Sequence, residues 1–273
     1  NDWLHCHYRD KALMLARGLT AKNFLDALLC KEDSHSRGRQ MSAHMSDPDR
    51  NVLSIVGPVG NSALQSVGIA ASVKKHKTRP IVLCSVGDGT TQQGEFLEAC
   101  AEAVRRHLPV LFFVEDNGLS ISTTTARKTF YATPEQTLHE FYGIPIRRVN
   151  GRDVVTSEKQ LGDIVGEMRR ERGPQFVVFE VERLADHTNT DDQSIYRSAD
   201  SIALAEKTGD PIRRLEKELV KRGCPEQVLR EFWEEASREL DAAEAESIAG
   251  AEPTTVFSAK RQLPVELTHS SRE

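Results

Sequence analysis

Two apolar runs joined by one amphipathic stretch place the strongest constraint on what this chain can fold into. Residues 80–86 read PIVLCSV and residues 109–115 read PVLFFVE, with GEFLEACAEAVRRH at 94–107 between them. Continuous apolar strands connected through a helix are typical of a parallel sheet that is covered on both faces. The segment therefore predicts a βαβ unit.

The same alternation continues toward the C-terminus. IPIRRVNG and QFVVFEVER predict two further strands, and TPEQTLHEFYG (133–143) and SEKQLGDIVGEMRRERG predict helices interleaved with them. Residues 52–185 are accordingly predicted to form one α/β unit, a doubly wound, mostly parallel sheet with helices on both faces.

The remaining segments are predicted to surround this core. Residues 1–51 are predicted as short helices and a polar loop leading into the domain, and 52–200 as the α/β core with a mobile active-site loop at 184–200. Residues 201–273 are predicted as C-terminal helices followed by a loose tail at 254–273.

Composition removes several classes of function. The net charge is -5, from 36 basic and 41 acidic side chains, so the chain has no overall positive field that would attract nucleic acid or an anionic membrane. No apolar run approaches the roughly 18 residues of a membrane span. The five cysteines are scattered without a C-x-x-C pair, which favours a cytoplasmic, reducing location over disulfides or zinc. The first residues lack signal-peptide features, and a start at Asn1 suggests missing upstream residues.

A glycine-flanked acidic turn follows each of the two apolar runs. Gly87-Asp88-Gly89 and Asp116-Asn117-Gly118 are separated by 26 residues. Ligands collect at the carboxyl ends of parallel strands, where backbone N–H groups and helix N-termini are exposed. A carboxylate and an amide oxygen, with a backbone carbonyl nearby, suit Mg²⁺ that also binds phosphate. The turns are thus either two halves of one ion site or two ordinary strand-end turns.

Two better-known phosphate-binding motifs fit this region poorly. A dinucleotide fingerprint needs G-x-G-x-x-G, but Gly94 comes five residues after Gly89 rather than three. A nucleotide-triphosphate loop needs Lys and a hydroxyl residue after its last glycine, where this chain has Glu95 and Phe96. Nicotinamide binding and nucleoside triphosphate hydrolysis are therefore disfavoured.

The spacing of the two turns resembles the thiamine diphosphate fingerprint, G-D-G followed after a similar gap by N-N. Further stretches resemble, in the same order, the alpha subunits of heterotetrameric 2-oxo acid dehydrogenases: HYRD, GRQMSAHM, GPVGNSALQSVG, FFVEDNGLSIST and RLADHTNTDDQSIYRS. The similarity covers about residues 3–260, and HTNTDDQSIYR is most similar to the branched-chain (2-oxoisovalerate) type.

The resemblance implies a role for particular residues. Asp88, Asn117 and the carbonyl of Leu119 match the metal ligands, and His187 matches the catalytic histidine of the 184–200 loop. The positions that match cofactor-binding residues are Tyr8, Arg9, Val59, Gly87, Asp88, Gly89, Asn117 and His187.

Four positions depart from the family's pattern, and one of them is Leu119, where Tyr is common. Asp116 stands where the first Asn of the N-N pair is expected, and Gly57 replaces a frequent Ser. Asp186, beside His187, replaces Gly or His, which bears on the acidity of His187 and on substrate recognition.

The resemblance also implies a reaction and partners. Thiamine diphosphate and Mg²⁺ are the expected cofactors, with a structural K⁺ as a further candidate. With a beta subunit, in a two-alpha two-beta heterotetramer, the chain would oxidatively decarboxylate a small 2-oxo acid and pass the acyl group to the lipoyl arm of an acyltransferase core. Branched-chain acids are favoured and pyruvate is the second candidate. An acetoin dehydrogenase alpha subunit and a non-catalytic assembly subunit of the same fold are the alternatives.

Overall fold

The computed structural model describes residues 1–254, and its centre is a six-stranded sheet. In spatial order the strands are β1 (Trp3–His5), β2 (Val82–Gly87), β3 (Val110–Asp116), β8 (Gln175–Glu180), β7 (Ile144–Asn150) and β6 (Glu140–Phe141). All neighbouring strands are parallel except the β6–β7 hairpin. The predicted mostly parallel sheet is therefore confirmed, and each of the four strands predicted from the sequence is present.

Eight helices lie in the described part of the chain, and a small hairpin accompanies them. The helices are α1 (Lys11–Ala16), α2 (Ala21–Leu28), α3 (Asn61–Val73), α4 (Gly94–Arg106), α5 (Val154–Glu171), α6 (Ala199–Thr208), α7 (Pro211–Lys221) and α8 (Glu226–Ala249). The hairpin pairs β4 (Leu119–Ser120) with β5 (Thr123–Thr124) directly after the end of β3.

The apolar strands are buried because helices cover both faces of the sheet. Phe112 of β3 packs with Phe96 of α4 on one face, with ring centroids 5.7 Å apart. Leu111, which points to the opposite face because strand side chains alternate, clusters with Ile164 of α5. The doubly wound arrangement predicted from the continuous apolar runs is thus confirmed.

Local sequence signals set the ends of several helices. Thr20 forms a capping box with Asn23, in which each side chain accepts a hydrogen bond from the other residue's backbone N–H. Pro211 occupies the first turn of α7, where it has no helical bond to lose, and the Asp210 carboxylate accepts from the N–H groups of Ile212 and Arg213. These side chains fix the first residues of α2 and α7.

The structure differs from the sequence prediction in three segments. The predicted helix at 133–143 is wrong: Pro134 is followed by turns and by β6, and Phe141 packs its ring 4.8 Å from Phe130. Side-chain burial against the sheet therefore outweighs the weak helical pattern. Strand β1 was not predicted, so the segment 1–51 contributes a strand to the core sheet. The loop predicted at 184–200 ends earlier than expected, because α6 begins at Ala199. The division at 51/52 and 200/201 stays a prediction.

The C-terminal helices predicted from the sequence are confirmed. Helix α8 packs against α2, and the chain after it is tied to the end of α2 by an ion pair between Lys31 and Glu252, with Nζ 2.5 Å from Oε1. Phe232 and Trp233 of α8 remain 63% and 55% exposed. The predicted tail lies, from residue 255 onward, outside the described residues. Within residues 1–254, no helix is both long and apolar enough to cross a membrane.

Candidate cofactor and active site

Four parallel strands deliver the predicted site residues to one edge of the sheet. Strands β1, β2, β3 and β8 lie side by side, and the register pairs His5 with Cys84, Gly87 with Glu115, and Asp116 with Glu180. The segments that follow these strands therefore emerge together. They carry Tyr8 and Arg9, then Asp88, then Asn117, then His187. The convergence expected at strand carboxyl ends is present in the fold.

These segments enclose a cavity of about 300 Å³. Every residue that the resemblance matches to a cofactor, metal or catalytic role lines it: Tyr8, Arg9, Val59, Gly87, Asp88, Gly89, Asn117, Leu119 and His187. Six residues that the sequence analysis did not select also line it: His7, Thr90, Gln93, Glu115, Ser120 and Ile121. The structure thus brings the predicted set together at one place, while the role of each residue stays a prediction.

Asp88 is the buried carboxylate of this cavity, with 2% of its surface exposed. The hydroxyl of Thr125 donates a short hydrogen bond to Oδ2. Burial raises the pKa of Asp88 to about 6, and the nearby carboxylate of Asp116 raises it as well, whereas the Thr125 hydrogen bond lowers it. Since a buried carboxylate ionises easily only when a positive charge is near, this environment suits a carboxylate that binds a cation.

The turn after β3 carries two further oxygen donors, the side chain of Asn117 and the carbonyl of Leu119, and both residues line the cavity that Asp88 lines. Oδ1 of Asn117 accepts a hydrogen bond from the N–H of Leu119 at 2.9 Å, so the Asn side chain is fixed by its own turn. Gly118, with φ +75°, adopts the left-handed conformation that this turn requires. Gly89 lies against the hairpin of β4 and β5: a Cβ built on Gly89 would be only 2.5 Å from Oγ of Ser120. The loop of Asp88 and the turn of Asn117 are therefore in close contact.

Arg9 and His187 contact each other across the cavity. A guanidinium nitrogen of Arg9 lies 2.7 Å from the carbonyl oxygen of His187 and 3.0 Å from its Nδ1. The guanidinium carbon also lies 4.9 Å from the ring centroid of Tyr8. Burial lowers the pKa of His187, the positive charges of Arg9 and Arg183 lower it as well, and Asp191 opposes them. His187 is therefore neutral near pH 7.

The loop that carries His187 is organised by a chain of polar contacts. The backbone N–H of His187 donates to Oδ2 of Asp191 at 2.8 Å, and the Tyr196 hydroxyl donates to the same oxygen at 2.5 Å. Arg183 donates to the Tyr196 oxygen at 2.7 Å and to the carbonyl of Ile121 at 2.6 Å. Asp186 accepts from the N–H of Gln193 at 2.8 Å, so its carboxylate is held by its own loop. Arg183 thus connects the His187 loop to the hairpin beside Asn117.

Two cavity residues that sequence reasoning passed over have strongly shifted acidities. Burial lowers the pKa of His7 to about 4, and Arg9 and His187 lower it as well, whereas Asp10 opposes them. Burial raises the pKa of Glu115 well above its usual value, with the neighbouring Asp10 carboxyl as the next cause. His7 follows the end of β1 and directly precedes Tyr8, and Glu115 lies near the end of β3, two residues before Asn117. These positions were the signal that could have identified them.

Two other missed residues gave no local signal. Thr125 and Tyr131 hydrogen-bond to Asp88 and Asp116 only because the chain between 118 and 131 folds back over the strand ends. His35 and His44 lie in the polar loop within residues 1–51 and contact each other there, with Nε2 of His35 2.9 Å from the carbonyl oxygen of His44.

The donors present fit a divalent cation that carries a diphosphate. In residues 1–254 no three His, Cys, Asp or Glu side chains are grouped to hold a metal, so a metal here must also use amide and backbone oxygens. Asp88, Asn117 and the carbonyl of Leu119 are oxygen donors of the kind that Mg²⁺ prefers. A Cβ built on Gly87 meets no atom within 4 Å, which leaves open space at the cavity wall, and Arg9 supplies a cationic fork suited to phosphate.

A parallel α/β sheet with polar donors gathered at its carboxyl edge defines the general class of ligand-binding doubly wound proteins. Comparison with family models defines the family: residues 1–255 match the model described as "Dehydrogenase E1 component". The chain belongs to the dehydrogenase E1 component family. The family predicted from the motifs is thereby confirmed.

Individual relatives agree with the branched-chain type of resemblance. The mitochondrial 2-oxoisovalerate dehydrogenase subunit alpha of Mus musculus is 27% identical over 270 residues, which cover 97% of this chain and 61% of that protein. The 2-oxoisovalerate dehydrogenase subunit alpha of Bacillus subtilis is 30% identical over 212 residues, which cover 77% of this chain and 64% of that protein. The chain therefore spans less than two thirds of the length of these relatives.

A solved chain from Mycobacterium smegmatis, proposed to be a thiamin diphosphate-dependent enzyme, is 20% identical with a TM-score of 0.35. That match covers 49% of this chain and 24% of the solved one, and it carries no argument about the site.

Proposed function

We propose that this chain is the alpha subunit of a 2-oxo acid dehydrogenase and that it binds thiamine diphosphate through Mg²⁺. Together with a beta subunit, in a two-alpha two-beta assembly, it oxidatively decarboxylates a 2-oxo acid and passes the acyl group to the lipoyl arm of an acyltransferase core. Branched-chain 2-oxo acids are favoured because both relatives are 2-oxoisovalerate dehydrogenase subunits, and pyruvate is the second candidate.

One observation carries this proposal. The nine residues that the motifs single out come from five separate segments of the chain, and all nine line the same cavity of about 300 Å³. Two unrelated strand-end turns would have no reason to share a cavity with Arg9 and His187. The convergence therefore favours one ion and diphosphate site over ordinary turns.

The side chains of the proposed site have different roles. Asp88, Asn117 and the carbonyl of Leu119 would hold Mg²⁺, and Arg9 would bind the diphosphate oxygens with its guanidinium fork. When bound, thiamine diphosphate supplies the carbanion and electron-sink chemistry that decarboxylation of a 2-oxo acid needs. His187 is neutral, and its backbone is held by Asp191. Its imidazole would donate a proton to the reacting oxygen or accept one from it.

The test begins with cofactor binding. Titration calorimetry of thiamine diphosphate with Mg²⁺ into the full-length protein, assembled with its beta subunit, is expected to show saturable binding that Asp88→Ala abolishes. Asp241→Ala, an exposed change on α8, is the matched control and should bind as the wild type does. Undiminished affinity in Asp88→Ala would refute the ion-site assignment.

A substrate panel then separates the candidate reactions. Branched-chain 2-oxo acids, pyruvate, 2-oxoglutarate and acetoin are offered with a lipoyl acceptor, and acyl transfer is followed for each. Turnover of acetoin alone would identify the acetoin dehydrogenase alternative. Cofactor binding without turnover of any of the four would favour the non-catalytic assembly subunit. The isolated chain is expected to be inactive until the beta subunit is added.

Two further features support parts of the proposal. Phe232 and Trp233 are large exposed side chains on α8, a pattern suited to contact with a partner subunit. All five cysteines are free, and three of them, Cys6, Cys84 and Cys100, are buried, which supports the proposed cytoplasmic location. A structural K⁺ ion remains part of the proposal and is testable by the dependence of assembly stability on K⁺ over Na⁺.

A further inference from the structure

Asp116, the last residue of β3, occupies the position where the cofactor fingerprint has Asn. Its carboxylate is held on both oxygens: Oδ1 accepts from the N–H of Gly118 and Oδ2 accepts from the hydroxyl of Tyr131, each at 2.9 Å. Tyr131 is itself only 1% exposed, so its hydroxyl fixes Asp116 from within the protein. The extra carboxylate is therefore part of the interior network and does not simply face solvent.

The held carboxylate belongs to the neighbour of Asp88 across the sheet. The register that pairs Gly87 of β2 with Glu115 of β3 sets Asp88 beside Asp116, and Asp88 is 2% exposed. The side-chain donors that reach them, Thr125 on Asp88 and Tyr131 on Asp116, are neutral hydroxyls. Among the hydrogen bonds of residues 1–254, neither carboxylate receives one from a cationic side chain. Arg148 lies over the ring of Tyr131, with its guanidinium carbon 5.5 Å from the ring centroid, and it forms an ion pair with Glu180.

Two adjacent carboxylates, one of them buried, repel each other when both are ionised, so both can keep their charge only with a cation between them. The same turn supplies neutral oxygen donors suited to such a charge, because Asn117 and Leu119 directly follow Asp116. In oxygen-donor sites the number of ligand charges sets the affinity for a divalent cation. Donors that fix a ligand carboxylate in place contribute to affinity as well, and Tyr131 and Gly118 do this for Asp116.

We propose that Asp116 is a second carboxylate of the divalent-cation site, so that Asp88 and Asp116 together bind the ion before the diphosphate arrives. This inference rests on the proposed function, which places the ion at Asp88 and Asn117. It explains why Asp replaces the Asn of the fingerprint at position 116. With Asp the site carries two negative charges, and it can retain the cation without phosphate oxygens. Tyr131 is the positioning residue, since it orients Asp116 without reaching the ion.

The test measures Mn²⁺ as the probe ion, in the full-length protein assembled with its beta subunit and without thiamine diphosphate. Free Mn²⁺ is followed by its electron paramagnetic resonance signal. Asp116→Asn, which keeps the side-chain shape, is expected to weaken Mn²⁺ binding by about tenfold or more, the range seen when a group supporting a metal site is removed. Tyr131→Phe should weaken it in the same direction by less. Asp241→Asn on the exposed face of α8 is the control and should match the wild type.

The outcomes separate this inference from the proposed function. Wild-type Mn²⁺ affinity in Asp116→Asn, together with lost binding in Asp88→Asn, would overturn the role of Asp116 and leave the ion site standing. Unchanged affinity in both variants would overturn the ion site itself. Thermal unfolding with a chelator present verifies that each variant is folded. If Asp116→Asn does not fold, Tyr131→Phe decides, and Mn²⁺ affinity equal to the wild type in that variant overturns the inference.

Discussion

Arg9 and His187, 178 positions apart in the chain, form a direct side-chain contact in which a guanidinium nitrogen lies 3.0 Å from Nδ1 of the imidazole. A guanidinium has only donors, so Nδ1 must accept. Since burial and the two nearby arginines lower the pKa of His187, the ring is neutral near pH 7 and its single proton is on Nε2. The N-terminal segment thereby selects the tautomer of the histidine in the 184–200 loop.

Removing the Arg9 charge should make His187 more basic. In Arg9→Gln the pKa of His187 is expected to rise, because Arg9 is the second cause of its lowered value after burial. An imidazole NMR titration measures this directly. The affinity for thiamine diphosphate should fall by roughly tenfold or more, because the proposed contact of Arg9 with the diphosphate is a charge-assisted hydrogen bond. Arg238→Gln on α8 is the control. An unshifted His187 titration in Arg9→Gln would contradict the contact.

Gly89 should be intolerant of a side chain because of Ser120. A Cβ at Gly89 would lie 2.5 Å from Oγ and 2.7 Å from Cβ of Ser120, so Gly89→Ala must displace the hairpin beside Leu119. Overpacking of this kind costs about 1 to 3 kcal/mol in the free energy of unfolding. Urea unfolding should show that loss, and the added change Ser120→Gly should recover most of it. Gly87→Ala, where a Cβ meets no atom within 4 Å, should be far milder; equal losses in the two variants would exclude the clash.

His7 should make the fold acid-sensitive. Burial lowers its pKa from 6.5 to about 4, so the unfolded chain takes up this proton first as the pH falls. The stability contributed by neutral His7 is complete above the unfolded pKa and is lost on going down to about pH 4, an effect on the order of 3 kcal/mol. His7→Gln should flatten this part of the pH profile of unfolding, and His76→Gln, at an exposed position, should not. Identical pH profiles of unfolding for the wild type and His7→Gln would rule out this contribution of His7.

Glu115 should act in the opposite direction. Burial and the Asp10 carboxyl raise its pKa well above the usual value, so the folded state keeps a proton that the unfolded chain releases. The stability from this proton is present below the unfolded pKa and is lost as the pH rises through the folded pKa. Glu115→Gln should therefore be more stable than the wild type at about pH 8, with the advantage fading toward about pH 5. Glu98→Gln on the exposed face of α4 is the control, and a pH-independent difference would count against the raised pKa.

The strands were predictable because each is a continuous apolar run, and burial on both faces leaves such runs few alternatives. The edge strand β1 was missed because Trp3–His5 is too short to show a pattern, and it is identified only by its pairing with β2. The helix expected at 133–143 was wrong because its apolar residues, Leu138 and Phe141, pack onto the core cluster from an irregular stretch and from the short strand β6. Long-range packing, absent from any short window, decided both cases.

The sequence by itself determined the parallel α/β core, the two turns at Asp88 and Asn117, and the family. These follow from local chemistry, namely apolar periodicity, glycine at sharp turns and the spacing of oxygen donors. Only the tertiary structure decided which side chains face one another there. It turned Asp116 inward onto Tyr131, set Glu115 beside Asp10, and joined Arg9 to His187. Such contacts depend on the strand order β1-β2-β3-β8, and strand order is a property of the packed sheet that no single segment encodes.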